Sequence, residues 1–324
     1  MRSRSALHTL VLDSLADPVA IIDRSGAIVD LNAAWLRFAG LLGMPARLTR
    51  MGGPYIELLA ASGVAGDRHV AGAIHGIERL LADRRRELRF EYPMNGPGTR
   101  RWMLMRGKPL ESATEPLFVV THIDITARRR AEDEAWQLAH HDPLTGLANR
   151  RRFDETLDIE IRRSMRKRTP ISLVVVDVDS FKEYNDTHGH VGGDRCLVRI
   201  AEVLSRFSRR PGDLAARLGG DEFALILGET GDEAARQIAQ GIRRSVEALG
   251  MSLRPSGEAI TVSVGAVTAG APLAEAPREL FDVTDRALYR AKLAGRNRAV
   301  HHRIDTGLPN RADGGLDPRA VRVP

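Results

Sequence analysis

One cysteine stands in 324 residues. A single thiol excludes an intramolecular disulfide framework, and Cys196 reads as a small buried apolar side chain rather than a redox group. Aromatic residues make up only 5% of the chain, and none interleaves with basic runs such as Arg162, Arg163, Arg166, Lys167 and Arg168. The net charge of +6 could mark a nucleic-acid binder. Without stacking residues, the preferred reading is arginines on solvated helix faces, and a small polyanionic substrate fits the balance equally well. Long apolar runs are lacking too. None approaches the ~20 residues of a membrane helix, so no membrane span is expected. The basic start Met1 to Ser5 leads into Leu7–Leu12, too short and too polar for a signal-peptide core. The expected location is the cytoplasm.

The length favours two domains. Residues 8–125 read as the first. Val19 to Asp23, a turn at Arg24-Ser25-Gly26, and Ala27 to Leu31 predict a hairpin. Asn32 is the candidate N-cap of a helix over Ala33–Ala39. Helical segments follow to about Asp83, then strands over Glu87–Met94, Arg101–Arg106 and Leu117–Ile125, the first two separated by Asn95-Gly96-Pro97-Gly98. Trp35, Phe38 and Trp102 read as core. Thr126 is the predicted cap of a linker helix over 126–140, in which Ala131, Ala135 and Leu138 share one face. Such a stripe suits a coiled coil with a second copy, or a plain surface linker.

Residues 141–304 read as the second domain. A turn at Asp142 to Arg150 opens a helix over Arg151–Arg166, followed by a strand over Ile171–Val176. A loop or short helix covers Phe181–Asp186, and a helix Asp194–Phe207. A hairpin over 213–228, a helix over 232–249, a strand over Ala259–Val267, a helix over Pro277–Leu293 and a strand over Ala299–Arg303 complete it. This alternation predicts an α+β fold with a ferredoxin-like sheet. Residues 305–324 lack periodicity and read as a disordered tail.

The chemistry concentrates at Leu218-Gly219-Gly220-Asp221-Glu222-Phe223. Two glycines let the backbone turn tightly, and two adjacent carboxylates repel unless a cation sits between them. The strand Ile171–Val176 runs into Asp177-Val178-Asp179. Two acid-bearing strand ends side by side form an oxygen-rich site suited to Mg²⁺.

These stretches resemble the GGDEF family, the diguanylate cyclases. The loop Gly219–Phe223 is complete, as is Asp177-x-Asp179-x-Phe181-Lys182-x-x-Asn185-Asp186. Asp142-x-Leu144-Thr145-x-Leu147-x-Asn149-Arg150 precedes them and Lys292-x-x-x-Arg296-Asn297 follows. The first domain resembles a PAS sensory domain, closed by Asp124-Ile125-Thr126. The resemblance implies an N-terminal PAS-like domain, a signalling helix and a palm-type nucleotidyl cyclase condensing two GTP into cyclic di-GMP. It implies Mg²⁺ (or Mn²⁺) on Asp177, the Val178 carbonyl, Asp221 and Glu222, with Glu222 ligating metal or taking the 3′-hydroxyl proton. Lys182 would neutralise charge nearby. Lys292 and Arg296 would hold outer phosphates, Asn185 and Asp194 read guanine, and Gly219 and Gly220 let the backbone approach the nucleotide. Arg210 and Asp213 match a product-inhibition motif, weak in itself because Arg130-x-x-Asp133 and Arg151-x-x-Asp154 match too. Many relatives add an arginine where Gly241 stands here. The active form would be a homodimer. The rivals are a catalytically weak module that senses nucleotides and a cyclase with another base preference. No phosphodiesterase domain is expected in a chain ending about twenty residues after its last strand. His69 and His75 lie where some PAS domains bind haem, but read as surface or structural residues. A photoreactive flavin would need a cysteine in this domain, so the sensory ligand stays unassigned.

Overall fold

The computed structural model describes residues 4–41, 44–45, 47, 49–61, 68–83, 87–96, 99–110, 115–254, 257–270 and 277–304. The expected tail, and Pro97-Gly98 of the expected turn, lie outside the described residues. The chain divides into two compact units, Met1–Glu134 and Ala135–Pro324.

The first unit runs α1 (Arg4–Ser14), β1 (Val19–Asp23), β2 (Ile28–Leu31), α2 (Ala33–Leu41), α3 (Tyr55–Ala61), α4 (Arg68–Ala82), β3 (Leu88–Gly96), β4 (Thr99–Leu110) and β5 (Leu117–Asp124). Its antiparallel sheet has the order β2-β1-β5-β4-β3. The Asp23 carboxylate closes the first hairpin by accepting from the Ser25 N–H at 2.8 Å and the Ala27 N–H at 3.0 Å. Asn32 caps α2: its Oδ1 accepts from the Trp35 N–H at 2.9 Å. The same oxygen accepts from the Val19 N–H at 3.0 Å, so one buried amide ties the start of β1 to α2. Trp35, Tyr55, Leu58, Ile77, Met105, Phe118 and Val120 form the core.

Two expectations need correction here. Trp102 is half-exposed, because β4 turns Met103 and Met105 inward and their neighbours outward; its ring instead carries the Arg129 guanidinium 4.7 Å from its centre. Thr126 does not cap α5 (Thr126–His140). Asp124 Oδ1 accepts the Thr126 N–H at 2.9 Å, and the Thr126 hydroxyl accepts from the Trp102 N–H at 2.9 Å. The α5 stripe of Ala131, Ala135 and Leu138 is exposed.

The second unit continues with α6 (Arg150–Lys167), β6 (Ile171–Val178), α7 (Phe181–Ser205), β7 (Leu214–Gly219), β8 (Glu222–Gly228), α8 (Asp232–Glu247), β9 (Val262–Ala269), α9 (Pro277–Leu293) and β10 (Ala299–Ile304). The sheet order is β10-β9-β6-β8-β7. Within it, β6-α7-β7-β8-α8-β9 is the split βαβ arrangement, and β10 adds a parallel strand outside β9. Helices cover both faces. Leu173 and Val175 of β6 point to the core shared with Phe153, Leu157 and Leu288, whereas Val174, Val176 and Val178 point to Leu197, Ile200 and Ile242. That double burial is why β6 reads as an unbroken apolar run. Cys196 lies in the second of these cores, 1% exposed, and burial pushes its thiol up to about 12.

The helix expected from Asp194 starts earlier. α7 is helical from Phe181 to Ser205 with a break at Gly189 (φ 70, ψ 168). One residue able to take positive φ suffices for the break, so Phe181–Asp186 takes the short-helix alternative and is separated from the second helix by a kink alone.

Candidate active site

The site is built around the end of β6. Asp177 lies opposite Glu222 in the β6–β8 register, and the Val178 N–H donates to the Asp221 carbonyl at 3.3 Å. Gly219 (φ 151) and Gly220 (φ 53) make the turn between β7 and β8. Three carboxylates therefore converge on one sheet end, with Asp177 8% exposed, Asp221 half-buried and Glu222 exposed. Burial raises the Asp177 carboxyl above the ordinary carboxylate range. Asp221 and Glu222 push it the same way, against the Lys292 ammonium. That ammonium pairs with Asp177 Oδ2 at 2.7 Å.

An all-oxygen donor set with excess negative charge suits a hard divalent cation. Among the described residues, however, no group of three or more His, Cys, Asp or Glu is gathered to hold a metal ion. Lys292 occupies the place of the counter-charge. The donor chemistry fits Mg²⁺, which would share Asp177 with Lys292.

Arg296 is exposed in the turn after α9, where Arg296 (φ 58) and Asn297 (φ 44) are left-handed. The Asn297 N–H donates to Asp179 Oδ2 at 3.1 Å, which brings that turn to the same strand end. Lys182 is exposed on the first turn of α7. Asn185 follows one turn later, and its Oδ1 lies over Gly193: a Cβ there would fall 1.8 Å from it. The α7 kink thus sets Asn185 beside the residue preceding Asp194, itself exposed. Phe223 is fully buried, and Phe181 and Leu218 pack partly buried against the cores.

Arg210 and Asp213 lie elsewhere. Asp213 folds back to accept the Arg210 N–H at 3.0 Å. It begins the hairpin whose other strand ends at Gly228, and β8 places Gly228 six residues from Glu222, about 20 Å at ~3.3 Å per residue. Burial raises the Asp213 carboxyl, and Glu160 adds to it against Arg210. Gly241 lies against Phe207, whose ring would stand 2.9 Å from an added Cβ. Arg243 bonds Glu247 and Asn297.

Sequence reasoning missed the work of Arg217. Its Nη1 lies 3.2 Å from both Asp142 oxygens, while Nε and Nη2 donate to the Gly220 carbonyl at 3.0 and 2.7 Å. It thereby clamps the glycine turn to the opening turn of the domain. Burial works to raise the Asp142 carboxyl, but Thr145 and Arg217 outweigh it and hold it low. The available signal was an arginine two residues before a double glycine. His122 of the first unit was also missed. It is 1% exposed, with Nε2 2.7 Å from the Tyr55 hydroxyl and Nδ1 2.6 Å from that of Tyr92. A neutral imidazole donates to one phenol and accepts from the other, and burial pushes His122 down to about 3. His75 is exposed near Glu78, and His69 meets Trp102 edge-on at 6.4 Å.

Residues 139–298 match the family model described as diguanylate cyclase, GGDEF domain, and residues 12–130 that described as PAS fold. Diguanylate cyclase DgcM of Escherichia coli (strain K12) is 35% identical over 285 residues, 87% of this chain and 65% of that protein. The chain thus spans less than two thirds of that relative's length. Response regulator PleD of Caulobacter vibrioides (strain NA1000 / CB15N) is 37% identical over 170 residues, 52% of this chain and 37% of that protein. The solved coiled coil and GGDEF domain of DgcB from Caulobacter crescentus, in complex with c-di-GMP, matches at 34% identity and TM-score 0.50, covering 55% of this chain and 93% of that one. Intact sequence motifs, a split βαβ sheet that converges them and these relatives together make the chain a member of the GGDEF diguanylate cyclase family, with a PAS-fold domain ahead of its GGDEF domain.

Proposed function

We propose that this chain is a diguanylate cyclase: two GTP become one cyclic di-GMP and two pyrophosphates. In each half-reaction a 3′-hydroxyl attacks the α-phosphate of the other nucleotide, and pyrophosphate leaves. The observation that carries this reading is the convergence of Asp177, Asp221 and Glu222 with Lys292 and the Arg296 turn at one strand end.

Asp177, Asp221, Glu222 and the Val178 carbonyl would hold Mg²⁺ (or Mn²⁺). Bound there, the cation neutralises phosphate charge and acidifies the attacking hydroxyl. Glu222 is exposed and accepts the 3′-hydroxyl proton or adds a ligand. Lys292 holds the outer phosphates, where Arg296 joins it, and Lys182 neutralises charge nearby. Gly219 and Gly220, with no side chains, let the nucleotide lie close. Asn185 and Asp194 pair with the guanine edge, where O6 accepts and N1–H and N2–H₂ donate. One GTP per chain and two per product make a homodimer the active form. We assign residues 8–125 to sensing, 126–140 to the signalling helix, 141–304 to the cyclase and Arg210–Asp213 to product inhibition. Among the described residues no helix is long and apolar enough to cross a membrane.

The Lys292–Asp177 pair favours one other reading, a weakly active module that senses nucleotide. Incubating purified protein with Mg²⁺ and GTP and identifying the product by mass decides between them. Cyclic di-GMP supports the cyclase; nucleotide binding without product supports the sensor. Asp194→Ala refines the base assignment: losing a guanine partner costs ~1–3 kcal/mol and should reduce the GTP preference over ATP. An unchanged preference would exclude Asp194 as a base reader.

A further inference from the structure

Asp179 is 5% exposed and stands two residues beyond Asp177, where β6 has ended. Its Oδ1 accepts from the Ser263 hydroxyl at 2.7 Å. Its Oδ2 accepts from the Thr261 hydroxyl at 2.7 Å and from the Asn297 N–H at 3.1 Å. Its own N–H donates to the Thr261 carbonyl at 2.9 Å. A buried carboxylate is costly unless its oxygens are bonded, and here neighbouring donors bond both.

The third donor decides the role. Gly295, Arg296 and Asn297 take φ of 108, 58 and 44 in succession. Left-handed backbone at two non-glycine residues is held only by its surroundings. Asn297 is gripped from both ends: Asp179 takes its N–H, while its side-chain amide donates to Glu247 at 2.7 Å and accepts from Arg243 at 3.0 Å. Arg296 is the residue before it.

We infer that Asp179 is a positioning residue: it anchors the left-handed turn that carries Arg296, and so sets the phosphate-binding cation at a fixed place relative to Asp177. The same short stretch of chain then positions both acid and cation, so outer phosphates and α-phosphate are held in one register. This inference rests on the cyclase reading for the ligand, and on the geometry for the anchoring.

The test measures binding of 3′-deoxy-GTP and 3′-deoxy-ATP, which cannot cyclise, in the presence of Mg²⁺ by the full chain. Asp179→Ala and Arg296→Ala should each weaken both nucleotides at least tenfold with the GTP-to-ATP ratio unchanged. The double variant should fall within about threefold of Arg296→Ala, because residues acting through one another are not additive. Asp179→Asn should stay within about threefold of wild type: its carbonyl can take the Oδ2 place and its amide can donate to the Ser263 hydroxyl. Additive losses, a collapsed base ratio, or Asp179→Asn as damaged as Asp179→Ala would overturn the inference, the last by pointing to charge on a cation instead. Thr261→Val/Ser263→Ala, which keeps the charge and removes its hydroxyl anchors, covers the case in which Asp179→Ala fails to fold. It should weaken both nucleotides threefold or more, and unchanged binding overturns the anchoring. Hydrogen exchange at the Asn297 amide separates the two ideas. If wild type binds neither nucleotide, the cyclase reading falls, while faster exchange in Asp179→Ala but not in Asp179→Asn still upholds the anchor and equal exchange removes it.

Discussion

Glu222 stands exposed at the start of β8, across from Asp177, so its charge can be removed without disturbing packing. Glu222→Gln is expected to lower cyclic di-GMP formation far more than tenfold, with a melting temperature within about 2 °C of wild type. Product formation within tenfold of wild type would remove the role assigned to it. His122 presents the opposite case, a buried group whose titration opposes folding. The unfolded imidazole takes up a proton below its ordinary value of 6.5, the folded one not until about 3. Acid therefore favours unfolding: stability present at neutral pH is lost as pH falls through 6.5, at up to about 1.4 kcal/mol per pH unit. Thermal unfolding of the full chain at pH 7.5 to 5 should show that slope for the first unit, and His122→Gln should flatten it. Equal slopes would exclude His122 as the source.

The element that carries Lys292 is packed tightly onto the sheet. α9 lies directly on β9, where a Cβ on Gly265 would stand 2.4 Å from the Leu288 nitrogen and 2.5 Å from the Thr284 carbonyl oxygen. Backbone cannot swing aside as a side chain can, so Gly265→Ala must lift the helix. The expected cost is about 1–3 kcal/mol, seen as a lower urea midpoint together with weaker nucleotide binding. A midpoint equal to wild type would show that the helix accommodates the methyl. The legibility of such contacts is poor: the alternating cores around β6 follow from its apolar run, whereas Gly265 appears in sequence as one more small residue in a strand.

At the scale of the whole molecule, Arg210–Asp213 and the acid cluster lie at opposite ends of the β7–β8 hairpin. A ligand at Arg210 therefore does not compete for the carboxylates directly, and inhibition would act through the hairpin or by holding two chains apart. Arg210→Ala would lose up to two charge-assisted hydrogen bonds, each worth ~1.5–3 kcal/mol when well formed. It should weaken inhibition by cyclic di-GMP at least tenfold and leave initial rates nearly unchanged. Arg151→Ala is the control, since Arg151 pairs with Glu155 at 3.0 Å on an exposed face and belongs to an equivalent four-residue motif. Equal inhibition constants for wild type and Arg210→Ala would reduce the motif to an ordinary turn.

The residue order by itself determined which elements form and which side chains can do chemistry. Apolar runs covered on both faces, an asparagine before a helix, and paired acids after a double glycine are local facts, and local physics reads them. It placed Asp177, Asp221, Glu222, Lys292 and Arg296 on a candidate list. The tertiary structure decided what those side chains meet: Lys292 on Asp177, Arg217 on the glycine turn, and Asp179 beneath the turn of Arg296. It also decided that Thr126 bonds Trp102 rather than capping its helix, and that His122 is sealed between two tyrosines. Except for Arg217 and Gly220, which are three positions apart, these are pairings between residues two dozen or more positions apart, and their energies depend on burial and on distance to a specific partner. Neither quantity exists until the chain has closed its sheets.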